Sequence, residues 1–196
     1  PETDGRMPDV LHECRYELDW FFKMQDERSG GLFHKLTTLV FPPLETAPEA
    51  DKDELCFSPI SATATADFAA TMALAARIYR PFDASFADRA IEAARRAWQW
   101  LTEHPAAPNF KNPPDIKTGE YGDRSDLDER YWAAAELYRT TGEAQYHEAF
   151  REYAKMDFPK YELGWEEMGG YGTLSYLLNN EQPVDAKLHA QLLEGL

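Results

Sequence analysis

Five carboxylates crowd into ten residues of this chain: Glu120, Asp123, Asp126, Asp128 and Glu129. They lie in the stretch TGEYGDRSDLDERYWAAAELYRTTGEAQY (118–146), where a Gly- and Ser-containing loop passes into an Ala- and aromatic-rich helix. Like charges repel, so the cluster needs a reason, and three chemistries fit it. It could cap a helix, since Ser125-x-x-Asp128 and Asp126-x-x-Glu129 both have capping-box spacing and acids are favoured in a first turn. It could hold calcium, a hard cation that takes several carboxylate and loop-carbonyl oxygens. Asp128 and Glu129 would then act together, with a further acid from Glu166 or Glu167 in the GWEEMGG link. It could also supply a pair of acids for glycoside hydrolysis, although the local spacing does not fix the separation that reaction needs.

Other residues could serve a sugar site. His34 sits between Phe33 and Lys35 in an apolar segment and could bond a sugar hydroxyl, or be a satisfied surface or pocket histidine. Tyr121, Trp165 and Tyr171 lie in Gly-containing links and could stack on sugar rings or anchor the loops. Trp98, Trp100 and Trp132 fall within helical patterns and read as core. No GxSxG motif and no Gly-rich phosphate loop is present.

The elements that must position these residues are helical. The chain has 196 residues, enough for one domain with a core. Its net charge of −15 argues against nucleic acid and anionic membranes as partners. No apolar run reaches the length of a membrane span. The two cysteines, Cys14 and Cys56, make no disulfide framework and read best as buried, inert groups. Apolar spacing predicts helices over 8–25, 61–79, 85–104, 127–140, 143–156, 173–179 and 185–193. An extended segment covers 32–41, and 44–58 reads as a long surface loop. The helix over 61–79 is small on nearly every face, which suits an inner layer where helices approach closely. Ala76-Arg77-Ile78-Tyr79-Arg80 recurs as Ala135-Glu136-Leu137-Tyr138-Arg139, each copy followed by a turn and another helix. These are helical hairpins at irregular spacing, which points to an all-α toroid or part of one; a tetratricopeptide array would need a fixed period.

Five blocks in order, PDVLHECRYELDWFFKMQ, GGLFHKLTTLVFP, SATATADFAATMALAARIYRPFD, TGEYGDRSDLDERYWAAAELYRTTG and GWEEMGGYGTLSYLL, resemble glycoside hydrolase family 9. The nearest resemblance is to bacterial cellulases with an immunoglobulin-like domain before the catalytic module. It implies an (α/α)6 barrel with β-1,4-glucan in a cleft at one end. It also implies an inverting mechanism, in which an Asp base and a distant Glu acid do the chemistry. It implies secretion, a β-glucan polysaccharide as partner, structural calcium, and zinc in some members with no ligand assigned in this chain. Asp128 and Glu129 match the family's calcium loop, with backbone oxygens expected near Arg124 and Ser125. The later acidic ligand falls at Glu166 or Glu167. His34 matches a sugar-contacting His, and Tyr121 falls near aromatics that line the cleft. The family's Asp-Ala-Gly-Asp motif and its acid Glu do not occur. Asn180-Glu181 has only the dipeptide. The expectation is therefore one segment, 1–196, of a catalytic domain incomplete at both ends, inactive by itself and completed by the remainder of that domain. Its rivals are another toroid sugar enzyme, an epimerase or a glucuronyl hydrolase, and a non-catalytic helical carbohydrate-binding or interaction module.

Overall fold

The computed structural model describes residues 5–196. Seven helices follow one another: α1 (Asp9–Met24), α2 (Ala62–Tyr79), α3 (Ala84–Glu103), α4 (Leu127–Thr141), α5 (Ala144–Ala154), α6 (Gly169–Leu177) and α7 (Ala186–Glu194). Short turns make hairpins of α2 with α3, and α4 with α5. α4 lies between α2 on one side and α6 on the other, while α7 covers α6. The helices thus form an inner row, α2–α4–α6, backed by an outer row, which is the local architecture of a toroid wall.

Sequence explains which helix goes where. The inner α2 is two-thirds Ala, Thr and Met, with buried residues all round its circumference. Inner α4 is buried without a break from Asp128 to Tyr138. Outer α3 is amphipathic, burying Phe86, Ala90, Ala94, Ala97 and Leu101 while its charged face meets solvent. The recurring pentapeptides sit on neighbouring inner helices and touch. Arg77 of the first copy pairs with Glu136 of the second at 2.8 Å, and also donates to Thr140 Oγ1 at 2.7 Å. Thr140 in turn donates to the carbonyl of Ala73.

Helix ends follow their chemistry. Ser61 caps α2, accepting from Ala64 N, and Asp83 caps α3, accepting from Phe86 N. Gly142 closes α4 at φ +72°, where a side chain would be strained. α6 begins four residues earlier than its pattern predicts, because Gly169, Gly170 and Gly172 are helical. A Cβ on Gly169 would lie 2.1 Å from the Pro159 carbonyl oxygen, so close packing rather than turn formation selects glycine there.

The extended segment predicted over 32–41 is shorter. β1 (Leu32–Phe33) and β2 (Leu36–Thr37) pair antiparallel with β4 (Ile60–Ser61) and β3 (Cys56–Phe57), respectively. β3 lies at the end of the predicted 44–58 loop and β4 just beyond it, taking in Ser61 at the predicted start of the next helix. Cys14 is exposed on α1 and Cys56 is half-buried, both unbridged, against the expectation of buried thiols. Arg130 joins the hairpins: its guanidinium donates to the carbonyls of Leu101 and His104 at the end of α3, and to Asp126 at 2.8 Å.

Candidate functional site

The amino-terminal ends of α2 and α4 and the 118–125 loop meet at one end of the wall. The ribbon and α2 fix His34 there. Its Nε2–H donates to the Tyr121 carbonyl at 3.0 Å, so neutral Nδ1 accepts from the Ser61 hydroxyl at 2.8 Å. The ring stacks on Phe110 at 3.7 Å. Burial holds its pKa below the ordinary histidine value, consistent with this neutral form. Both ring nitrogens are therefore committed to protein partners, and His34 has no spare donor for a ligand. Lys35 donates to the Thr118 hydroxyl and the Gly119 carbonyl, and lies 5.7 Å from the Tyr121 ring centre. Tyr121 itself has φ +51°, a left-handed backbone that non-glycine residues adopt at a cost of about 1 kcal/mol. That strain is held by the His34 bond and by the ring folding over Gly119.

A cleft of about 260 Å³ opens beside these groups. His34, Lys35, Tyr121 and Trp165 line it, together with Asp67, Asp123 and Glu129. Trp165 and Tyr121 are 67% and 60% exposed, so their faces are available for stacking. A second cavity of about 300 Å³ is lined by Asp123, Arg124, Ser125, Asp128, Glu166 and Glu167, with Phe158 and Pro159 behind. The sequence-predicted metal residues are thus gathered around this cavity, except Glu129, which lines the cleft instead. Asp123 faces both.

The five acids of the loop divide by partner. Glu120 pairs with Lys111 at 2.9 Å and accepts from Asn112 N, which lowers its pKa. Asp126 pairs with Arg130 and makes no cap hydrogen bond to α4. The cap is supplied in part by Ser125 Oγ, which accepts from Leu127 N. Asp123 Oδ1 accepts from the amides of Arg124 and Ser125. Asp128, 4% exposed, accepts from Met168 N at 2.6 Å and so ties the loop to the 164–168 link. Burial still raises its pKa. Glu129 is 2% exposed, and its Oε2 is buried with no hydrogen-bond partner among the described residues. Burial, followed by the charges of Asp67 and Asp128, pushes its pKa up to about 10. The capping-box reading therefore does not account for Asp128 and Glu129, whose carboxylates turn inward.

The residue that sequence reasoning passes over is Asp67, which reads only as an interruption in an Ala-rich run. It is half-buried as a residue, yet its Oδ1 is shut off from solvent without a partner. Its pKa rises to about 7, first through burial and then through Asp128 and Asp123. A buried carboxylate lacking a donor calls for a proton or a cation. The donor set here, carboxylates and loop carbonyls, is that of a hard cation such as calcium. The Arg124 carbonyl accepts from the Asn109 amide at 2.7 Å and keeps a second lone pair. Among the described residues no three His, Cys, Asp or Glu side chains converge closely enough to hold a metal ion by themselves. The acids surround the cavities instead of meeting at a point, so a cation would draw on carbonyl oxygens and on closer approach of the loop.

The family model for glycosyl hydrolase family 9 matches residues 2–194. The chain belongs to this family. Family membership decides for the barrel over a tetratricopeptide array, and against the other toroid sugar enzymes. The chain is 40% identical over its whole length to 32% of Endoglucanase D of Acetivibrio thermocellus. It is 38% identical, over 90% of its length, to 31% of the xyloglucan-specific endo-beta-1,4-glucanase of Bacteroides ovatus. Among solved structures it resembles AaCel9A in complex with cellobiose-like isofagomine, with a TM-score of 0.92 and 40% identity over 98% of this chain and 36% of that one. A single mutant of the thermostable endoglucanase from Alicyclobacillus acidocaldarius gives a TM-score of 0.91 at 39% identity, over 98% of this chain and 36% of that one. The chain spans about a third of the length of the curated relatives it matches.

Proposed function

We propose that this chain is the part of a secreted β-1,4-glucan hydrolase that forms one sugar-binding wall and a cation-braced loop, within a larger catalytic domain. The observation that carries this reading is the cleft itself. In a family whose similar members include endoglucanases, it gathers exposed aromatic rings and acidic side chains in one lining. Exposed Trp and Tyr faces suit the apolar faces of pyranose rings, and Lys35, Thr63 and the acids suit their hydroxyls. Secretion follows from the substrate class, because a polymeric glucan does not cross a membrane to reach an enzyme. Among the described residues no helix is long and apolar enough to span one.

Inverting hydrolysis needs a base and an acid about 6.5–9.5 Å apart, so that water fits between base and sugar. The family's Asp-Ala-Gly-Asp motif and its acid Glu do not occur in this chain. Glu181, part of the Asn-Glu dipeptide, is held by Arg139 at 2.8 and 3.2 Å, next to Arg77, and is a structural brace. The base and acid therefore belong to the remainder of the catalytic domain. Calcium, when bound, would supply charge neutralisation for Asp128 and Glu129. The carbonyls of Arg124 and Ser125 and one of Glu166 or Glu167 would complete its oxygen set.

The test separates binding from catalysis. The 196-residue chain is expected to quench or shift its Trp165 fluorescence with cello-oligosaccharides, Trp165→Ala abolishing most of the change, while releasing no reducing sugar from carboxymethylcellulose. Sugar release by the pure chain would overturn the division of labour and point to Asp67 and Glu129 as its own acids. No fluorescence response at millimolar oligosaccharide would overturn the sugar wall.

A further inference from the structure

The acid of α2 has no role in the reading above. Asp67 lies in the first two turns of the inner helix and lines the same cleft as Glu129, which comes from the first turn of α4. Each carboxyl has one oxygen closed off from solvent with no donor among the described residues: Oδ1 of Asp67 and Oε2 of Glu129. Their neighbours that could neutralise them are engaged elsewhere. Lys35, the one cation lining the cleft, gives its ammonium to Thr118 and Gly119. Arg130 is turned to Asp126 and to the end of α3. Two orphaned oxygens on neighbouring inner helices thus belong to residues that line one cleft, and among the described residues no cationic side chain pairs with either carboxyl.

We propose that Asp67 is an anionic partner of the cation held by the 124–129 loop, so that the ion links the loop to inner helix α2 through Asp67 and Glu129 together. This rests on the calcium reading of the loop and adds to it a residue far away in sequence. The consequence is mechanical as well as electrostatic: the ion joins the loop to the barrel wall. Asp123 lines both cavities and would be the acid between Asp67 and the loop. Loss of one carboxylate charge from a calcium site changes affinity by an order of magnitude or more, since ligand charge sets calcium affinity.

Calorimetric titration of the 196-residue chain with calcium chloride tests this, paired with melting temperatures in EDTA. Asp67→Asn keeps the side-chain shape, and Asp67→Ser removes the charge with a smaller group. Both are expected to raise the calcium Kd at least tenfold, while melting in EDTA at or above the temperature of the unsubstituted chain, because an uncompensated buried carboxylate has gone. Asp88→Asn removes the same charge from the exposed face of α3 and is expected to leave Kd within twofold. A calcium Kd within twofold of the original in Asp67→Asn would overturn the role of Asp67 alone. So would a drop in melting temperature in EDTA that matches the loss of affinity, which would make Asp67 a packing residue. Absence of calcium binding by the unsubstituted chain overturns this inference and the calcium reading together.

Discussion

Glu129 concentrates the physical conflict of this site in one side chain. A carboxyl with almost no exposure, an orphaned oxygen and acidic neighbours prefers to keep its proton, and its pKa stands near 10 instead of the ordinary glutamate range. The sign follows from linkage. A folded pKa raised above the unfolded one gives stability that is fully present below the unfolded value and is lost as pH rises toward the folded value. The slope is about 1.4 kcal/mol per pH unit for one proton. Asp67, raised to about 7, acts in the same direction up to neutrality. Glu120, Asp83, Glu181 and Asp185 are lowered by hydrogen bonds or ion pairs, so their contribution is lost as pH falls below the ordinary carboxylate range. His34, held neutral by burial, also costs stability as pH drops below its unfolded value. In EDTA, Glu129→Gln is expected to melt several degrees above the original chain at pH 8, with the difference vanishing near pH 5. Differential scanning calorimetry at both pH values checks it; an equal melting temperature at pH 8 would mean that Glu129 is ionised in the fold with its charge compensated, and its pKa not raised. The burial behind this is not visible in sequence, where Asp128-Glu129 reads as a cap, a cation site or an acid pair. Burial belongs to the neighbours brought up by α2 and the 164–168 link, not to the dipeptide.

At the level of elements, helix α6 shows most clearly what packing adds to pattern. Its apolar run starts at Thr173, and the preceding glycines read as a flexible link. In the fold they are the first turn of the helix, because α6 approaches the 159–162 backbone and α4 too closely for any side chain. A methyl on Gly169 would overlap the Pro159 carbonyl, and one on Gly172 would overlap the Tyr131 ring at 2.6 Å. Gly169→Ala is expected to destabilise by about 2–3 kcal/mol, since backbone must move to relieve the overlap. Gly164→Ala, whose methyl would meet Glu167 Oε2 at an ordinary 3.4 Å, is expected to stay within about 0.5 kcal/mol. Urea unfolding of the two variants reads the difference directly, and equal midpoints would refute the close approach. The remaining helices were legible because periodicity and caps such as Asp83 and Gly142 are local signals. Strands β3 and β4 were not, since two-residue strands carry no period and their pairing with 32–37 is a long-range event. The resemblance to a known family located the loop of Arg124, Ser125, Asp128 and Glu129, as well as His34 and Tyr121. It did not show that the ring nitrogens of His34 are both occupied, nor that Asp67 lines the same cleft.

For the molecule as a whole, the balance of charge makes cation binding a stability question. The chain carries −15, and the buried acids Asp128 and Glu129 lie with Asp67 at the cleft end, while at the other end of the inner helices Arg77 and Arg139 meet Glu136 and Glu181. Monovalent salt screens exposed charge but reaches a buried pair poorly, so sodium chloride relieves little of the strain at Asp67 and Glu129. A divalent ion bound there would relieve it directly, and would stabilise the fold to the extent that it binds the folded form alone. Ligand at about 100 times its Kd then stabilises by about 2.7 kcal/mol. For a chain of this size each kcal/mol moves the melting temperature by roughly 2–4 °C. Calcium is accordingly expected to raise the melting temperature by roughly 5–10 °C at pH 7.5, EDTA to reverse the rise, and sodium chloride at matched ionic strength to give much less. Magnesium serves as the stricter control, because it demands near-ideal octahedral geometry and sheds water reluctantly, whereas these acids surround their cavities loosely. Equal shifts with calcium and sodium chloride would mean that the cleft end is stabilised only by general screening, and would remove the cation from the account of the loop.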